Sequence, residues 1–262
     1  MSVIPPLHRP LQQFFRSGPM PCPYLTGRVE RKLFTRLVGT DNGEINSQLS
    51  RVGFRRSHDI LYRPVCPGCS ACVPVRVPVA AFQPGRTMRR IQRVNQDLSF
   101  RLIPAEATME QFRLFAAYQD ARHNDSDMNR MTPGDYAAMV DEGQADTMLL
   151  EARDEAGRLR GAMLVDRLDD GYSAVYSFYD PDQPRRSLGT QLVLALIEQS
   201  SLQGRPYIYL GYWIEGSRKM EYKAKFQPLE ALGRDGWAPL VLAPAIGGHE
   251  SVTIGHDFVP LV

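Results

Sequence analysis

The chain has 262 residues, of which 43% are hydrophobic and 23% charged, so it is long enough for one large domain or two small ones. No apolar run approaches the roughly 20 residues of a membrane-spanning helix. The N-terminus lacks the positive start and apolar stretch of a secretory signal. These features exclude a membrane-embedded protein and predict a cytoplasmic one.

The net charge of +2 conceals an asymmetry between the two parts of the chain. Residues 1–101 carry 16 Lys and Arg against 5 Asp and Glu, whereas residues 102–262 carry 15 against 24. This pattern indicates a polyanionic partner for the basic part. The alternative is that the two parts pack together and neutralise each other.

The basic part contains a strand pattern followed by a helix pattern. Valine occupies every second position of residues 73–79, and Pro74 and Pro78 predict that this strand lies at a sheet edge. A helix is predicted next, because apolar residues recur at spacings of three and four. Its apolar face is Met88, Ile91, Val94 and Leu98, and its other faces carry Arg86, Arg89, Arg90 and Arg93. These arginines suit phosphate contacts, or alternatively form a solvated surface.

The second part begins with two helices and continues with strands. One helix is predicted over residues 108–122 with Thr108 as its cap, and another begins at Thr132-Pro133. Three strands follow, joined by turns with hairpin chemistry at residues 154–157 and 169–171. A helix, a short apolar strand ending in Tyr212-Trp213 and a last helix capped by Ser217 complete the order.

This order matches the core of the N-acetyltransferase-like fold, an α/β (α+β) architecture. We expect it to be joined to a smaller, partly β N-terminal domain. The predicted divisions are an extended lead-in, a cysteine-containing basic domain, a transferase-like domain and a tail. They cover residues 1–20, 21–104, 105–240 and 241–262.

Two segments of the second part are candidates for binding anions or bases. Arg186, Gly189 and Thr190 stand at a helix N-terminus, where free N–H groups and the helix dipole favour an anion. The alternative is an ordinary strand–helix connection. Further along, aromatic rings alternate with cations, which suits the binding of unpaired nucleotides. The alternative, which is the more frequent cause of such a pattern, is a core strand followed by a helix with a solvated face. The residues are Tyr212, Trp213, Lys219, Tyr222 and Lys223.

The four cysteines all lie in the basic part, at Cys22, Cys66, Cys69 and Cys72. Four thiolates in this spacing can bind zinc or an iron–sulfur cluster. The alternative is a set of small buried side chains without a metal. Disulfides are not expected in a cytoplasmic chain.

Several segments resemble the arginyl-tRNA–protein transferases. In the first part they are P-C-P-Y-L-T-G-R-V-E-R-K-L-F, G-F-R-R-S-H-D-I-L-Y-R-P-V-C-P-G-C and R-T-M-R-R-I-Q-R-V-N-Q-D-L. In the second part they are Y-S-F-Y-D-P and Y-L-G-Y-W-I-E-G-S-R-K-M-E-Y-K-A-K-F-Q-P. The motifs keep the family's order over residues 20–240. The short length and triple-cysteine run are similar to the bacterial branch, the aspartate/glutamate leucyltransferases.

The resemblance implies transfer of leucine from Leu-tRNA to proteins that begin with Asp or Glu, which marks them for N-degron degradation. It implies no required cofactor and no DNA or membrane partner. The eukaryotic relatives resemble C-G-Y-C where this chain has Cys22-Pro23-Tyr24-Leu25, so a metal site does not carry over residue by residue.

The resemblance also suggests a role for each candidate. Arg186, Gly189 and Thr190 would hold the 3′ end of the tRNA, and Arg76 would pair with the acidic side chain of the acceptor. The reacting centre would be flanked by Tyr176, Lys219, Tyr222 and Lys223.

Three other functions remain open from the sequence. Arginine could replace leucine as the transferred amino acid. An acetyl-coenzyme A enzyme is disfavoured because R-R-S-L-G-T-Q-L poorly meets the usual Gln/Arg-x-x-Gly-x-Gly/Ala signature. A metal-bearing RNA-binding module would leave the C-terminal motifs unexplained.

Overall fold

A computed structural model describes residues 12–122, 127–141 and 145–241 of the chain. Most of the predicted lead-in and all but the first residue of the predicted tail lie outside this part. Within it, no helix has the length and apolar character needed to cross a membrane.

The described residues form fourteen strands, five α-helices and four short 3-10 helices. The strands are β1 Phe15–Arg16, β2 Met20–Pro21, β3 Val29–Glu30, β4 Lys32–Arg36, β5 Arg55–Ser57, β6 Ile60–Pro64, β7 Val73–Pro78, β8 Ser99–Pro104, β9 Thr147–Arg153, β10 Leu159–Leu168, β11 Gly171–Tyr179, β12 Tyr207–Trp213, β13 Glu230–Gly233 and β14 Gly236–Pro239. The helices are α1 Asn42–Arg51, α2 Arg86–Val94, α3 Met109–Arg122, α4 Pro133–Asp141 and α5 Leu188–Leu202. The 3-10 helices are Val79–Ala81, Asp127–Arg130, Pro184–Arg186 and Glu221–Lys225.

The largest feature is an eight-stranded sheet in the order β14-β13-β7-β12-β11-β10-β9-β8. Within this sheet β11 and β12 pair in parallel, and the other neighbours pair antiparallel. The run of three antiparallel strands, a helix and a parallel strand is the N-acetyltransferase-like order, so the predicted α/β fold class is confirmed. The sheet takes strands from both sides of residue 104, and the predicted domain boundary there stays a prediction.

One face of the sheet packs against α2 and α5. Apolar side chains from β7, β10 and β12 meet those of α5 in one buried cluster. Because α5 is buried on most of its surface, it is apolar nearly all round, as expected of a helix in the core. This core fixes the N-terminus of α5 beside the end of β11.

The other face of β9, β10 and β11 is covered by α3 and α4. Both helices begin with the predicted caps. Thr108 and Gln111 form a reciprocal pair of backbone bonds at α3, and Thr132 and Asp135 do the same at α4. Phe115 and Tyr136 bring large rings against Phe178 of β11. The sequence therefore predicted the starts of both helices correctly.

A second sheet, in the order β1-β4-β6-β5, is antiparallel and comes wholly from the basic part. It joins the large sheet through a buried ion pair between Arg56 of β5 and Asp166 of β10. The phenol of Tyr212 on β12 also donates to the carbonyl of Gly53, just before β5. The small sheet is therefore tied to the large one near the middle of the latter.

Two predictions about the large sheet and α2 were wrong. β7 lies between β12 and β13, not at an edge. Its prolines are tolerated because β13 pairs with Val75 and Arg76 alone, which leaves Pro74 and Pro78 outside that ladder. In α2, Val94 ends the helix and is 45% exposed instead of joining the apolar face.

The helix predicted after Ser217 was also wrong. The structure has a single turn and then the 3-10 helix Glu221–Lys225. Buried side chains in this segment recur every third residue, at Ser217, Lys223, Phe226 and Leu229, with Met220 half-buried between them. A spacing of three suits a 3-10 helix, in which residues i and i+3 lie above one another.

Candidate functional site

A gap opens between β11 and β12 in the middle of the large sheet. The two strands pair only where Gly171–Ser173 lie beside Tyr207–Tyr209. Beyond Ser173, β11 runs on to Tyr179 and β12 to Trp213, but the strands no longer bond to each other. The sheet therefore presents unpaired backbone on both sides of a cleft.

The side chain of Arg55 fills the closed end of this cleft. It reaches from β5 of the small sheet, and its Nη2 donates to the carbonyl oxygen of Val175 on β11. Its Nη1 lies against Gly211 of β12, where a Cβ atom would stand 2.0 Å from it. Nη1 is buried and has no hydrogen-bond partner within the described ranges. A guanidinium with an unused donor thus sits between the two strands.

Arg55 was not among the predicted site residues, although the sequence contains a signal for it. Gly211 stands inside an aromatic strand and has a φ of 74°, a left-handed conformation that favours glycine. A glycine within a strand often marks the close approach of another group. That group is the guanidinium of Arg55.

Lys223, one of the predicted catalytic residues, lies beside the open part of β12. It is 4% exposed, and its Nζ donates to the carbonyl of Tyr212 at 2.5 Å and lies 3.2 Å from Sδ of Met220. Burial, and then the positive charge of Arg55, lower the pKa of this amine well below its ordinary value. The structure therefore brings a predicted residue and a missed one to the same strand.

Its neighbours Lys219 and Tyr222 lie at the surface. Tyr222 is 40% exposed and packs edge-on against Phe226. Lys219 is exposed. Both side chains are accessible from solvent, and their role at a reacting centre stays a prediction.

Tyr212 and Trp213, in contrast, are 2% and 3% exposed. The hydroxyl of Tyr212 donates to backbone carbonyls of the small sheet region, and Trp213 belongs to the core under α5. Stacking of an unpaired base on either ring is incompatible with this burial. The alternating aromatic pattern had a structural cause, the packing of both faces of β12.

Tyr176 lies on the open part of β11, across the cleft. Its hydroxyl accepts a bond of 2.9 Å from Nε2 of the fully buried Gln119 on α3. Burial raises the pKa of Tyr176 to about 12, so its phenol stays protonated. Tyr179 follows on the same strand, with its ring centre 4.8 Å from that of Tyr118. This side of the cleft is aromatic and neutral.

The N-terminus of α5 follows the end of β11, the place at which the sequence predicts an anion site. Gly189 contacts the ring of Tyr179, and a Cβ atom there would lie 2.8 Å from Cε1 of that ring. Glycine is therefore needed at position 189 because the ring of Tyr179 packs against it, a reason that the sequence did not reveal. Thr190 is half-buried one residue further on.

Arg186 connects this helix start to α2. Its Nε donates to Oδ1 of Asn95 at 2.8 Å, and its Nη2 pairs with Asp97. Asn95 in turn donates to the carbonyl of Arg186 at 2.9 Å. The predicted phosphate ligand thus has part of its guanidinium engaged in holding two helices together.

The arginine face of α2 lies next to this junction. All four side chains are exposed, and none forms an ion pair with another described residue; they are Arg86, Arg89, Arg90 and Arg93. Arg185, in the 3-10 helix just before α5, is also exposed. The result is a strip of unneutralised charge that leads to the N-terminus of α5.

Arg76 has a closed environment instead. It pairs with Glu230 at 2.7 Å and donates to the hydroxyl of Tyr209 at 3.2 Å. Its guanidinium stacks 3.5 Å from the ring centre of Tyr207 and 4.4 Å from that of Trp237. Since a carboxylate and two rings already surround it, the predicted pairing with an acceptor gains no support from its surroundings.

The four cysteines are half-buried free thiols. Three of them, Cys66, Cys69 and Cys72, line a cavity of about 320 Å³ next to the β13–β14 hairpin. Burial and then the other three cysteines raise the pKa of Cys72 to about 12. Among the described residues no group of three or more His, Cys, Asp or Glu is arranged to hold a metal ion. Zinc or iron–sulfur binding stays a prediction.

The sequence matches two family models in the order of the chain. Residues 20–90 match "Arginine-tRNA-protein transferase, N terminus" and residues 110–233 match "Arginine-tRNA-protein transferase, C terminus".

Two relatives and one solved structure illustrate the similarity. The aspartate/glutamate leucyltransferase of Paramagnetospirillum magneticum is 55% identical over 88% of this chain and 95% of its own. The enzyme of that name from Granulibacter bethesdensis is 52% identical over 91% of this chain and 89% of its own. The structure of L-PGS from Bacillus licheniformis is 12% identical, with a TM-score of 0.46 over 60% of this chain and 57% of that one.

Proposed function

The chain belongs to the arginine-tRNA-protein transferase family and is an aminoacyltransferase that uses charged tRNA and protein substrates; we propose that it transfers leucine to N-terminal Asp or Glu. The observation that carries the choice of leucine is the identity of 55% and 52% to leucyltransferases over nearly the whole chain. A protein so modified would carry N-terminal leucine as a mark for degradation.

The reaction joins two substrates that the cleft must bring together. The α-amine of the acceptor attacks the ester carbonyl that links leucine to the ribose at the tRNA 3′ end. A C–N bond forms, the ester C–O bond breaks, and the ribose oxygen leaves with a proton. Because the ester is already activated, positioning supplies a large share of the rate.

The arginine strip on α2 supports a binding site for the tRNA. Exposed arginines without carboxylate partners attract phosphates and release counterions on binding. The strip leads to the N-terminus of α5, whose free N–H groups suit a phosphate near the 3′ end. Arg86, Arg89, Arg90 and Arg93 would then meet the backbone, and Gly189 and Thr190 the last nucleotides.

The cleft supports a site for the ester and the acceptor. It lies between the neutral aromatic side at Tyr176 and the side formed by the guanidinium of Arg55 and the amine of Lys223. The positive charge of Arg55 suits an acceptor that carries an acidic first residue. Lys219 and Tyr222 are exposed and lie within four residues of Lys223 in the chain.

The test is transfer from radiolabelled tRNA to defined peptides. The purified full chain is incubated with labelled Leu-tRNA or Arg-tRNA and with peptides that begin with Asp, Glu, Ala or Lys. We expect label from Leu-tRNA on the Asp and Glu peptides alone. The same Asp peptide with an acetylated N-terminus is the control, because it lacks the attacking amine.

The other outcomes separate the alternatives. Label from Arg-tRNA would keep the enzyme class and replace the donor. Label on the peptides from acetyl-coenzyme A, with none from either tRNA, would overturn the proposal.

A further inference from the structure

Two cations lie on the same stretch of β12 at the cleft. The guanidinium of Arg55 stands against Gly211, and Nζ of Lys223 donates to the carbonyl of the next residue, Tyr212. Neither has a carboxylate partner among residues 12–122, 127–141 and 145–241. Lys223 is buried and Arg55 is half-buried with a buried Nη1. Two neighbouring charges in such a place without a counterion are unfavourable, because burial and mutual repulsion both oppose ionisation.

Arginine cannot relieve this conflict by losing its proton, whereas lysine can. The other titratable groups that face Lys223 do not neutralise it. Tyr222 and Tyr212 are phenols whose pKa burial raises, so neither supplies a negative charge. Cys72 raises the pKa of Lys223, but burial and the charge of Arg55 act more strongly in the opposite direction. Burial and the charge of Arg55 both lower the pKa of the Lys223 amine, which favours the neutral amine with its lone pair.

We propose that Lys223 is the base that takes a proton from the α-ammonium of the acceptor, and that Arg55 is a positioning residue that keeps Lys223 neutral. This inference rests on the proposed transfer function. Nζ takes one proton, directly or through one water, and the freed electron pair of the amine forms the C–N bond. The ester C–O bond breaks, and the ribose oxygen takes the second proton that the nitrogen loses. Lys223 then releases its proton to solvent.

The fold explains why the small sheet is needed for this arrangement. Arg55 belongs to β5, yet its charge acts inside the large sheet, where β11 and β12 have separated. Lys223 reaches the same place from the 3-10 helix after β12. Neither segment alone would place a cation next to a lysine that must lose its proton.

The first experiment compares the pH dependence of transfer in the wild type and in Arg55→Met. Loss of the neighbouring charge raises the pKa of Lys223, so the acidic limb of kcat/KM should move to higher pH by about one unit. Activity lost near neutral pH should return as the pH rises. Arg55→Lys keeps the charge and should keep the limb close to the wild-type position.

The acceptor's own amine titrates in the same range, near pH 7.7–8.0. Its contribution is the same for every variant, so the shift between proteins isolates Lys223. Arg158→Met, on the exposed β9–β10 turn, is the matched control and should leave the limb in place.

The second experiment removes the base. Lys223→Ala should lower kcat/KM by roughly 10²- to 10⁴-fold, and added methylamine or ethylamine should restore part of it. Lys223→Arg keeps a cation that cannot deprotonate and should be as inactive as Lys223→Ala. Lys225→Ala, two residues along and exposed, should keep the wild-type pH profile and show no amine rescue.

A direct titration keeps the inference testable without any activity. In protein labelled with ¹³C at lysine Cε, the signal absent from Lys223→Arg belongs to Lys223. It should titrate below the other lysines, and in Arg55→Met it should titrate higher. Transfer by the wild type with an unshifted limb in Arg55→Met and an ordinary Lys223 titration would overturn this inference while leaving the proposed function intact. Failure of the wild type to use any aminoacyl-tRNA would instead overturn the proposed function.

Discussion

Arg55 and Arg56 are neighbours on β5, but the large sheet provides a carboxylate partner for Arg56 and none that is described for Arg55. Arg56 forms a bidentate pair with Asp166, with Nε and Nη2 at 2.6 and 2.7 Å from its two oxygens, and the side chains are 1% and 0% exposed. Asn46 and Thr147 bond to the same carboxylate. Arg55 instead donates to the carbonyl of Val175 and lies against Gly211, and its Nη1 has no hydrogen-bond partner in the part of the chain that the structure describes.

The difference shows how one strand serves two purposes. Arg56, a buried charge matched by a carboxylate, fixes the position of the small sheet on the large one. Arg55, a half-buried charge without a described counterion, instead lowers the pKa of Lys223.

The largest effect is expected at the matched pair. Asp166→Ala leaves the guanidinium of Arg56 buried without a counterion, which should lower the free energy of unfolding by about 3–5 kcal/mol. Urea denaturation followed by circular dichroism measures this loss. Asp146→Ala breaks the surface ion pair between Asp146 and Arg167, whose side chains are 42% and 47% exposed. This variant should lower the free energy of unfolding by at most about 1 kcal/mol. Equal losses in the two variants would contradict the role given to Asp166.

Gly211→Ala tests the contact between Arg55 and β12. The added Cβ would lie 2.0 Å from Nη1, so the variant suffers both left-handed strain and a clash with the guanidinium. Gly157→Ala is the matched control, because its φ is 78° and nothing lies within 4 Å of its added Cβ. Strain alone should cost about 1–2 kcal/mol, and Gly211→Ala should cost more. A loss no larger than that of Gly157→Ala in the same urea assay would argue against tight packing of Arg55 there.

The exposed arginines of α2 are surface charges that form no ion pair with a described residue. Replacing Arg90 and Arg93 by Gln should weaken tRNA binding and lower the slope of log K against log salt by about 0.7–0.9 per lost phosphate contact. Filter binding across a salt series measures the slope. Arg158→Gln removes a surface arginine that is already paired with Asp154, so its slope should match the wild type. An unchanged slope in the double variant would remove α2 from the tRNA site.

The smallest effect concerns stability at Lys223. Its pKa in the folded protein lies below that in the unfolded chain, so the unfolded chain binds more protons between those two values. The wild type should therefore gain stability as the pH rises through that window, up to about pH 10.4. Lys223→Met removes this dependence and should unfold at the same or a higher urea concentration at pH 7. A lower midpoint would show that the amine stabilises the fold.

The sequence alone determined features that depend on neighbouring residues. Thr108 and Thr132 begin their helices, the turns at residues 154–157 and 169–171 join hairpins, and α2 turns its arginines to solvent. Each follows from caps, turn chemistry or periodicity within a few residues. The family resemblance added Lys223 as a candidate, but nothing about its burial.

Only the tertiary structure decided the features that join distant segments. The position of β7 between β12 and β13 depends on where residues 230–233 return, so Pro74 could not reveal it. Burial of Tyr212 depends on the small sheet packed above it. The pairing of Arg56 with Asp166 and the placing of Arg55 beside Lys223 each join residues more than 100 positions apart. Local pattern carries no information about such contacts, because they form only when the two sheets pack together.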